Sequence, residues 1–272
     1  MESYLEAGQE IAREAGALLA AFYERRIGYH LKGDFDLVTE ADLASERLVL
    51  ERLQSRFPNH AVVAEESGGR QAATDFRWHI DPLDGTTNFA HGFPVFCVSM
   101  GLEKAGEMIA GIIFDPLRNE MFTAELGSGA WMNNRRLKVS QAAFLKDCLV
   151  ATGFPNRKRS KSVNVHFYHQ LAMATHGVRR AGSAALDLAY VAAGRLDAFW
   201  EFGLNSWDMA AGVLMVTEAG GCRTDMLGRP HQLNSPHILA DNGAVHEEML
   251  QVFREVFEGR YRTPLPQPAA GS

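Results

Sequence analysis

The run Asp81-Pro82-Leu83-Asp84-Gly85-Thr86-Thr87-Asn88 carries two carboxylates three residues apart, directly after the apolar stretch Trp78-His79-Ile80. Proline forbids helix at that point and glycine permits a sharp turn, so the run predicts a strand ending in the two aspartates, a turn, and a helix start. Carboxylates are hard oxygen ligands of the kind Mg²⁺ takes. The Leu83 carbonyl can supply a third oxygen, and the Gly85 and Thr86 amides can face a phosphate at a helix N-terminus. The alternative is an Asp-Pro turn followed by an Asp-Gly step, which needs no ligand.

Other acids stand where chemistry is possible but not required. Glu65 and Glu66 follow the apolar run Ala61-Val62-Val63-Ala64 and precede Ser67-Gly68-Gly69, as acids at a solvated strand end also would. Asp208 lies in the first turn of a helix opening at Trp207, where the helix dipole alone favours it. Asp42 fits as the partner of Thr39 in a capping box. No G-x-S-x-G, G-x-x-x-x-G-K-[ST], H-E-x-x-H or G-x-G-x-x-G is present. Cys97, in an apolar run, reads as core, and so do His79 and His246, with His91 in a Gly-Pro loop. Phe89, Phe93 and Phe96 could line a pocket, with core packing the default.

These residues need a scaffold. Apolar spacing predicts helices over residues 2–27 and 40–56, strands at 61–64 and 78–80, and three or four more strands between Val95 and Trp131. Hairpin-length breaks at 104–107 and 115–119 make these last an antiparallel meander. From about 140 the pattern alternates: strands near 148–151, 178, 197–200, 222–224 and 237–240, with helices near 162–176, 183–193, 207–219 and 243–257. The expected organisation is an α+β half over 1–140, an α/β half over 141–262 sharing a packed interface with it, and a Pro-rich, disordered tail over 263–272.

Composition narrows the class. With 272 residues, 46% hydrophobic and 22% charged, the chain reads as a folded protein able to bury a large core, not a disordered or fibrous one. A net charge of -6 argues against a nucleic-acid reader working by bulk basic charge, though not against a local patch such as Arg157-Lys158-Arg159-Ser160-Lys161 or the pairs Arg135-Arg136 and Arg179-Arg180. Three scattered cysteines support neither a disulfide framework nor a zinc ribbon. An acidic N-terminus and short apolar runs give no signal peptide and no membrane span, so the expected location is the cytoplasm.

Taken together, Asp36-Leu37-Val38-Thr39-Glu40-Ala41-Asp42, Glu65-Glu66-Ser67, Asp81-Pro82-Leu83-Asp84-Gly85-Thr86 and Trp207-Asp208-Met209-Ala210-Ala211-Gly212, in that order, resemble the inositol monophosphatase family over nearly the whole chain. The segment from Arg180 through Gly182-Ser183-Ala184 to Asp197 is particularly similar to the family's bacterial SuhB-type branch. Ala64 departs from the glycine that many relatives carry before the two glutamates.

The resemblance implies a five-layer αβαβα sandwich of the α/β class and a Mg²⁺-dependent, Li⁺-inhibited phosphatase for a small phosphorylated polyol such as myo-inositol 1-phosphate. Glu65, Asp81 and the Leu83 carbonyl would hold one Mg²⁺, and Asp81, Asp84 and Asp208 a second, with two or three ions per site. Thr86 with Glu65 would position the attacking water, backed by Asp42. Asp84, Gly85, Thr86, Gly182, Ser183, Ala184 and Glu201 would meet the substrate. Fructose 1,6-bisphosphate, histidinol phosphate or a nucleotide 3′-phosphate are alternative substrates on the same scaffold. The resemblance also implies a homodimer, and its SuhB-type branch implies contact with RNA polymerase or a transcription factor.

Overall fold

A computed structural model describes residues 3–25, 29–33, 36–154 and 162–265. The basic segment at 157–161 and the end of the expected tail, 266–272, lie outside the described residues. Thr263, where that tail begins, is held by Gln170: its amide donates to Oε1 at 3.0 Å and its carbonyl accepts from Nε2 at 2.7 Å.

The five expected layers are present. The outer layer is helix α1 (Tyr4–Arg25) against α2 (Glu40–Arg56), whose apolar stripes, including Ile11, Ala15 and Leu19 on one and Val49 and Leu53 on the other, are fully buried. Between them a short antiparallel pair, β1 (Tyr29–Gly33) and β2 (Asp36–Thr39), was not expected. The second layer is a sheet in the order β3 (Ala61–Ala64), β4 (Phe76–Asp84), β5 (Cys97–Lys104), β6 (Glu107–Asp115), β7 (Glu120–Glu125), β8 (Gly129–Met132), β9 (Arg135–Arg136). Only β3 and β4 pair in parallel; the rest is the expected antiparallel meander. The β5–β6 turn has both central residues, Ala105 and Gly106, at positive φ (51° and 90°), the twist-matched form of a two-residue hairpin.

The fourth layer is a mixed sheet built from β10 (Leu149–Thr152), β11 (Gly177–Arg179), β12 (Ala198–Phe202), β13 (Cys222–Thr224) and β14 (His237–Asp241) in the order β11-β10-β12-β14-β13. A one-turn helix, α3 (Thr86–Ala90), follows β4; on the outer face of this mixed sheet pack α4 (Asn164–Ala174) and α7 (His246–Phe257). The middle layer is α5 (Ala184–Ala192) and α6 (Ser206–Glu218), apolar nearly all round because both sheets cover them. No helix among the described residues is long and apolar enough to cross a membrane.

Two packing details aim residues at the middle layer. The strand period of two sends Trp78 and Ile80 toward α1 and α2 and leaves His79 and Asp81 facing α6. In β12, Phe199 joins the middle core while Trp200 turns to the α4 and α7 side, so Glu201 shares the direction of Phe199. Helix α6 lies directly on the sheet at two glycines: a Cβ at Gly101 would be 2.7 Å from Ala210 Cβ, and one at Gly111 would be 2.8 Å from the Ala211 carbonyl oxygen.

Candidate active site

Strand β4 ends in the two aspartates as expected, its last residue being Asp84. Against β5, Asp81 pairs with Ser99 and Asp84 with Cys97, so three steps on one strand match two on the other. The extra residue is a bulge at Pro82-Leu83, where a proline without an N–H interrupts the ladder anyway. In a regular strand residues 81 and 84 would face opposite sides; the bulge reverses that parity and both carboxylates line one cavity. Gly85 then turns the chain at φ 102°, a left-handed conformation that glycine tolerates, and α3 begins at Thr86.

The cavity has a volume of about 550 Å³ and is walled by both sheets and the middle layer. Of the expected site residues it is lined by Glu65, Asp81, Leu83, Asp84, Gly85, Thr86, Gly182, Ser183, Ala184, Glu201 and Asp208. Asp42 does not line it but lies immediately behind. Its Oδ2 accepts from the Thr39 amide at 2.7 Å, completing the expected capping box, and its Oδ1 accepts from Thr86 Oγ1 at 2.9 Å. Thr86 Oγ1 is also 3.1 Å from the Leu83 carbonyl. Asp84 is gripped by the start of α5: its Oδ2 accepts from Ser183 Oγ and from the Ala185 amide, both at 2.7 Å. The Ser183 hydroxyl is therefore engaged within the protein. Asp208 caps α6 in return, accepting from the Asn205 amide at 2.6 Å.

The electrostatics are those of acids crowded out of water. Burial raises Asp81 well above the usual carboxylate range, with Glu65, Asp84 and Asp208 adding to it. Burial raises Asp84 to about 6 despite the hydrogen bonds from Ser183 and Ala185. Asp208 is pushed to about 7, first by burial and then by Asp84. Glu201 is raised by burial and then by Asp187, Asp208 and Asp84.

This donor set fits a hard divalent cation: carboxylates with a backbone carbonyl among them, with neighbouring acids adding to the rise at Asp81 and at Asp208. Among the described residues no three His, Cys, Asp or Glu side chains converge on one point as they stand. The fit is therefore one of chemistry and charge.

Several contributors were not anticipated. Glu46, one turn after Asp42 on α2, is buried and accepts from the amides of Glu66 and Ser67 at 2.8 Å each, fixing the loop that presents Glu65. The i, i+4 spacing from Asp42 was the available signal. Asp187 and Gly153 line the cavity beside Glu201, and Asn88 ties the α3 turn to the Gly182 turn through its bond to the Ala181 carbonyl at 2.8 Å. Arg180, expected with a basic surface, lines the acidic cavity. Asp187 Oδ1 and Trp207 Nε1, on two lining residues, are buried without hydrogen-bond partners among the described residues.

The core assignments were sound for Cys97, Phe89 and Phe96, while Phe93 is half exposed. His79 does more than fill space: Nδ1 lies 2.9 Å from Ser206 Oγ and Nε2 2.8 Å from Glu103 Oε2.

Comparison with known proteins agrees with this architecture. The model of the inositol monophosphatase family matches residues 1–258. The "Nus factor SuhB" of Pseudomonas aeruginosa is 44% identical over 258 residues, 92% of this chain and 95% of that protein. The "Inositol-1-monophosphatase" of a Synechocystis species is 44% identical over 254 residues, 92% of this chain and 88% of that protein. The crystal structure of the extragenic suppressor protein suhB from Bartonella henselae superposes with a TM-score of 0.89 at 40% identity, covering 93% of this chain and 99% of that one. With its acidic motifs gathered at one cavity and a family model matching nearly end to end, the chain belongs to the inositol monophosphatase family.

Proposed function

We propose that the protein is a Mg²⁺-dependent phosphatase that hydrolyses small polyol monophosphates, myo-inositol 1-phosphate first among them. The observation that carries this is the bulge in β4, which turns Asp81 and Asp84 into one cavity with Glu65 and Asp208. Glu65, Asp81 and the Leu83 carbonyl would hold one ion, and Asp81, Asp84 and Asp208 another. Bound there, Mg²⁺ lowers the pKa of water and neutralises charge on the ester and phosphoryl oxygens.

The chain's own groups do the rest. Thr86 Oγ1 donates its hydrogen bond to Asp42, which leaves its lone pairs free to accept from an attacking water in the cavity. Glu65, which follows β3 and lines the same cavity, would share in positioning that water. Asp84, clamped by α5, is kept from swinging when the phosphate enters. The turn at Gly182 and the carboxylate of Glu201 stand across the cavity, where ring hydroxyls would lie. No side-chain nucleophile is required, in keeping with a cavity that no cysteine among the described residues lines; Cys97, behind Asp84 and Ser183, is buried and pushed well up by burial.

The test is phosphate release from myo-inositol 1-phosphate with Mg²⁺, with EDTA, and with Li⁺ added to the Mg²⁺ reaction. Turnover that needs Mg²⁺, falls with Li⁺ and disappears in Asp84→Ala supports the assignment; full turnover in EDTA overturns it. Fructose 1,6-bisphosphate, histidinol phosphate and a nucleotide 3′-phosphate in the same panel rank the substrates.

A second reading rests on a relative, the P. aeruginosa protein called a Nus factor. On that analogy the chain would also contact RNA polymerase or a transcription factor, and would work as a cytoplasmic homodimer. Specific capture of purified RNA polymerase, lost when Arg157, Lys158 and Arg159 are neutralised, supports this role; its absence removes it. Light scattering on the eluted protein reads the dimer.

A further inference from the structure

Resting on the polyol phosphatase reading, we propose that Asp187 is a specificity-determining residue that, together with Glu201, recognises the hydroxyl groups of the substrate's polyol and not its phosphate.

Asp187 is the fourth residue of α5 and is 2% exposed. It lines the cavity on the Glu201 side, and its Oδ1 has no hydrogen-bond partner among the described residues. A buried carboxyl oxygen left in that state costs roughly 1–3 kcal/mol, so a fold that retains one is expected to satisfy it in another state. Its place in the first turn of α5 favours an acid through the helix dipole, but that does not require a carboxyl oxygen buried without a partner at a cavity wall. The apolar positions around it, Ala185, Leu186, Leu188 and Ala189, are fully buried core, and any aliphatic residue would continue that pattern. Asp42, Asp84 and Asp208 each cap or clamp a named element; Asp187 caps nothing that the structure shows.

Gly153 is an independent sign that the wall is built for a ligand. A Cβ on that residue would lie 2.2 Å from both carboxylate oxygens of Glu201. Any other side chain would push Glu201 forward into the cavity, so the bare backbone keeps that carboxylate drawn back and leaves space in front of it. Asp187 is the charge that raises Glu201 most after burial, while Asp187 itself is raised by burial and then by Asp84. The only cation lining the cavity among the described residues is Arg180.

A wall of two recessed carboxyl groups offers oxygens that hydrogen-bond neutral hydroxyls and no cation of its own for a second phosphate. The ligand it fits is therefore the ring of a polyol, and an ester without hydroxyls gains nothing from it.

The experiment uses the full-length, Mg²⁺-loaded protein. Calorimetry measures binding of a phosphonate analogue of myo-inositol 1-phosphate and of phenylphosphonate, which has the anion but no hydroxyls. Asp187→Leu fills the space without a polar atom and is expected to weaken the polyol phosphonate about tenfold, one hydrogen bond's worth, with phenylphosphonate unchanged within about twofold. Asp187→Asn, which keeps a carbonyl oxygen, is expected within about threefold of the wild type for both. If the Leu variant does not fold, Asp187→Ser, too short to reach, gives the same readout. Equal weakening of both ligands, or of neither, overturns the proposal. Wild-type protein that binds the polyol phosphonate selectively but releases no phosphate from the ester overturns the phosphatase reading and leaves Asp187 in place; protein that binds neither overturns both.

Discussion

Thr86 Oγ1 donates to Asp42 Oδ1 at 2.9 Å while the other carboxylate oxygen of Asp42 accepts from the Thr39 amide at 2.7 Å, so one buried side chain both starts α2 and orients the hydroxyl at the cavity. Replacing Asp42 by Asn separates the two jobs. An amide oxygen can serve Thr39, but its NH₂ then faces Thr86 Oγ1 and forces that hydroxyl to accept where it had donated. We expect Asp42→Asn to fold and to lose about 10²-fold or more in kcat, with Thr86→Val losing a similar amount. Phosphate release and a thermal melt together check this; a Thr86→Val variant with wild-type kcat removes Thr86 from the reaction.

The crowded acids make the metal-free protein sensitive to pH in a stated direction. A carboxyl whose folded-state pKa is raised favours the fold only while protonated. Its contribution is complete below the ordinary 3.8 and is gone once the pH passes about 6 for Asp84 and about 7 for Asp208. The melting temperature of metal-free protein is expected to fall between pH 4 and pH 7 relative to that of Asp208→Asn, which lacks one of these charges. Mg²⁺ should restore it, and more strongly at pH 7 than at pH 5, because the ion competes with protons for the same oxygens. Parallel melts with EDTA and with Mg²⁺ measure both effects; identical slopes for the two proteins would show that these acids are not crowded.

The order of the elements was legible in the sequence because periodicity and turn residues are local signals. Ala105-Gly106 marks its hairpin, and Thr39 with Asp42 marks the start of α2. The acids that belong to the site were legible as a set through their resemblance to a family, and singly each had a structural alibi. What was hidden depends on register and on tertiary approach. Nothing local says that Pro82-Leu83 is a bulge and not a turn, since that is a fact about how β4 meets β5. Glu46 looks like any helix acid until the Glu66 and Ser67 amides arrive from twenty residues away in chain. Asp187 sits in an Ala- and Leu-rich helix whose burial comes from two sheets at once. The β1–β2 pair, at the entrance to α2, is too short for a periodic signal.

His79 joins β4, which carries Asp81, to the first turn of α6, which carries Asp208, through Ser206 at 2.9 Å, and is itself anchored by Glu103 at 2.8 Å. Burial lowers its pKa, although Glu103 opposes the shift. His79→Phe preserves the bulk and leaves Glu103 and Ser206 without this partner. We expect a loss of about 1–3 kcal/mol in unfolding free energy and a weaker Mg²⁺ midpoint, since the two halves of the metal cradle are no longer tied. Denaturant melts and a Mg²⁺ titration of activity check the two expectations. Lost stability with an unchanged midpoint would reduce His79 to a packing residue.

The position of Asp208 is set two residues further on, where α6 touches the sheet. A Cβ at Gly101 would lie 2.7 Å from Ala210 Cβ and 2.9 Å from the Ala211 amide nitrogen, and the latter is backbone that moves only with the helix. Gly101→Ala should therefore lift α6 from β5, destabilise by about 1–3 kcal/mol and weaken Mg²⁺ by displacing Asp208. Ala210→Gly alone removes a methyl and costs about 1 kcal/mol of helix propensity. Combining the two relieves the methyl clash but not the approach to the Ala211 nitrogen. The double variant should accordingly be more stable than the sum of the single losses, yet stay below the wild type. A double-mutant cycle on unfolding free energies measures that coupling, and strict additivity would mean that the helix does not rest on the sheet at Gly101.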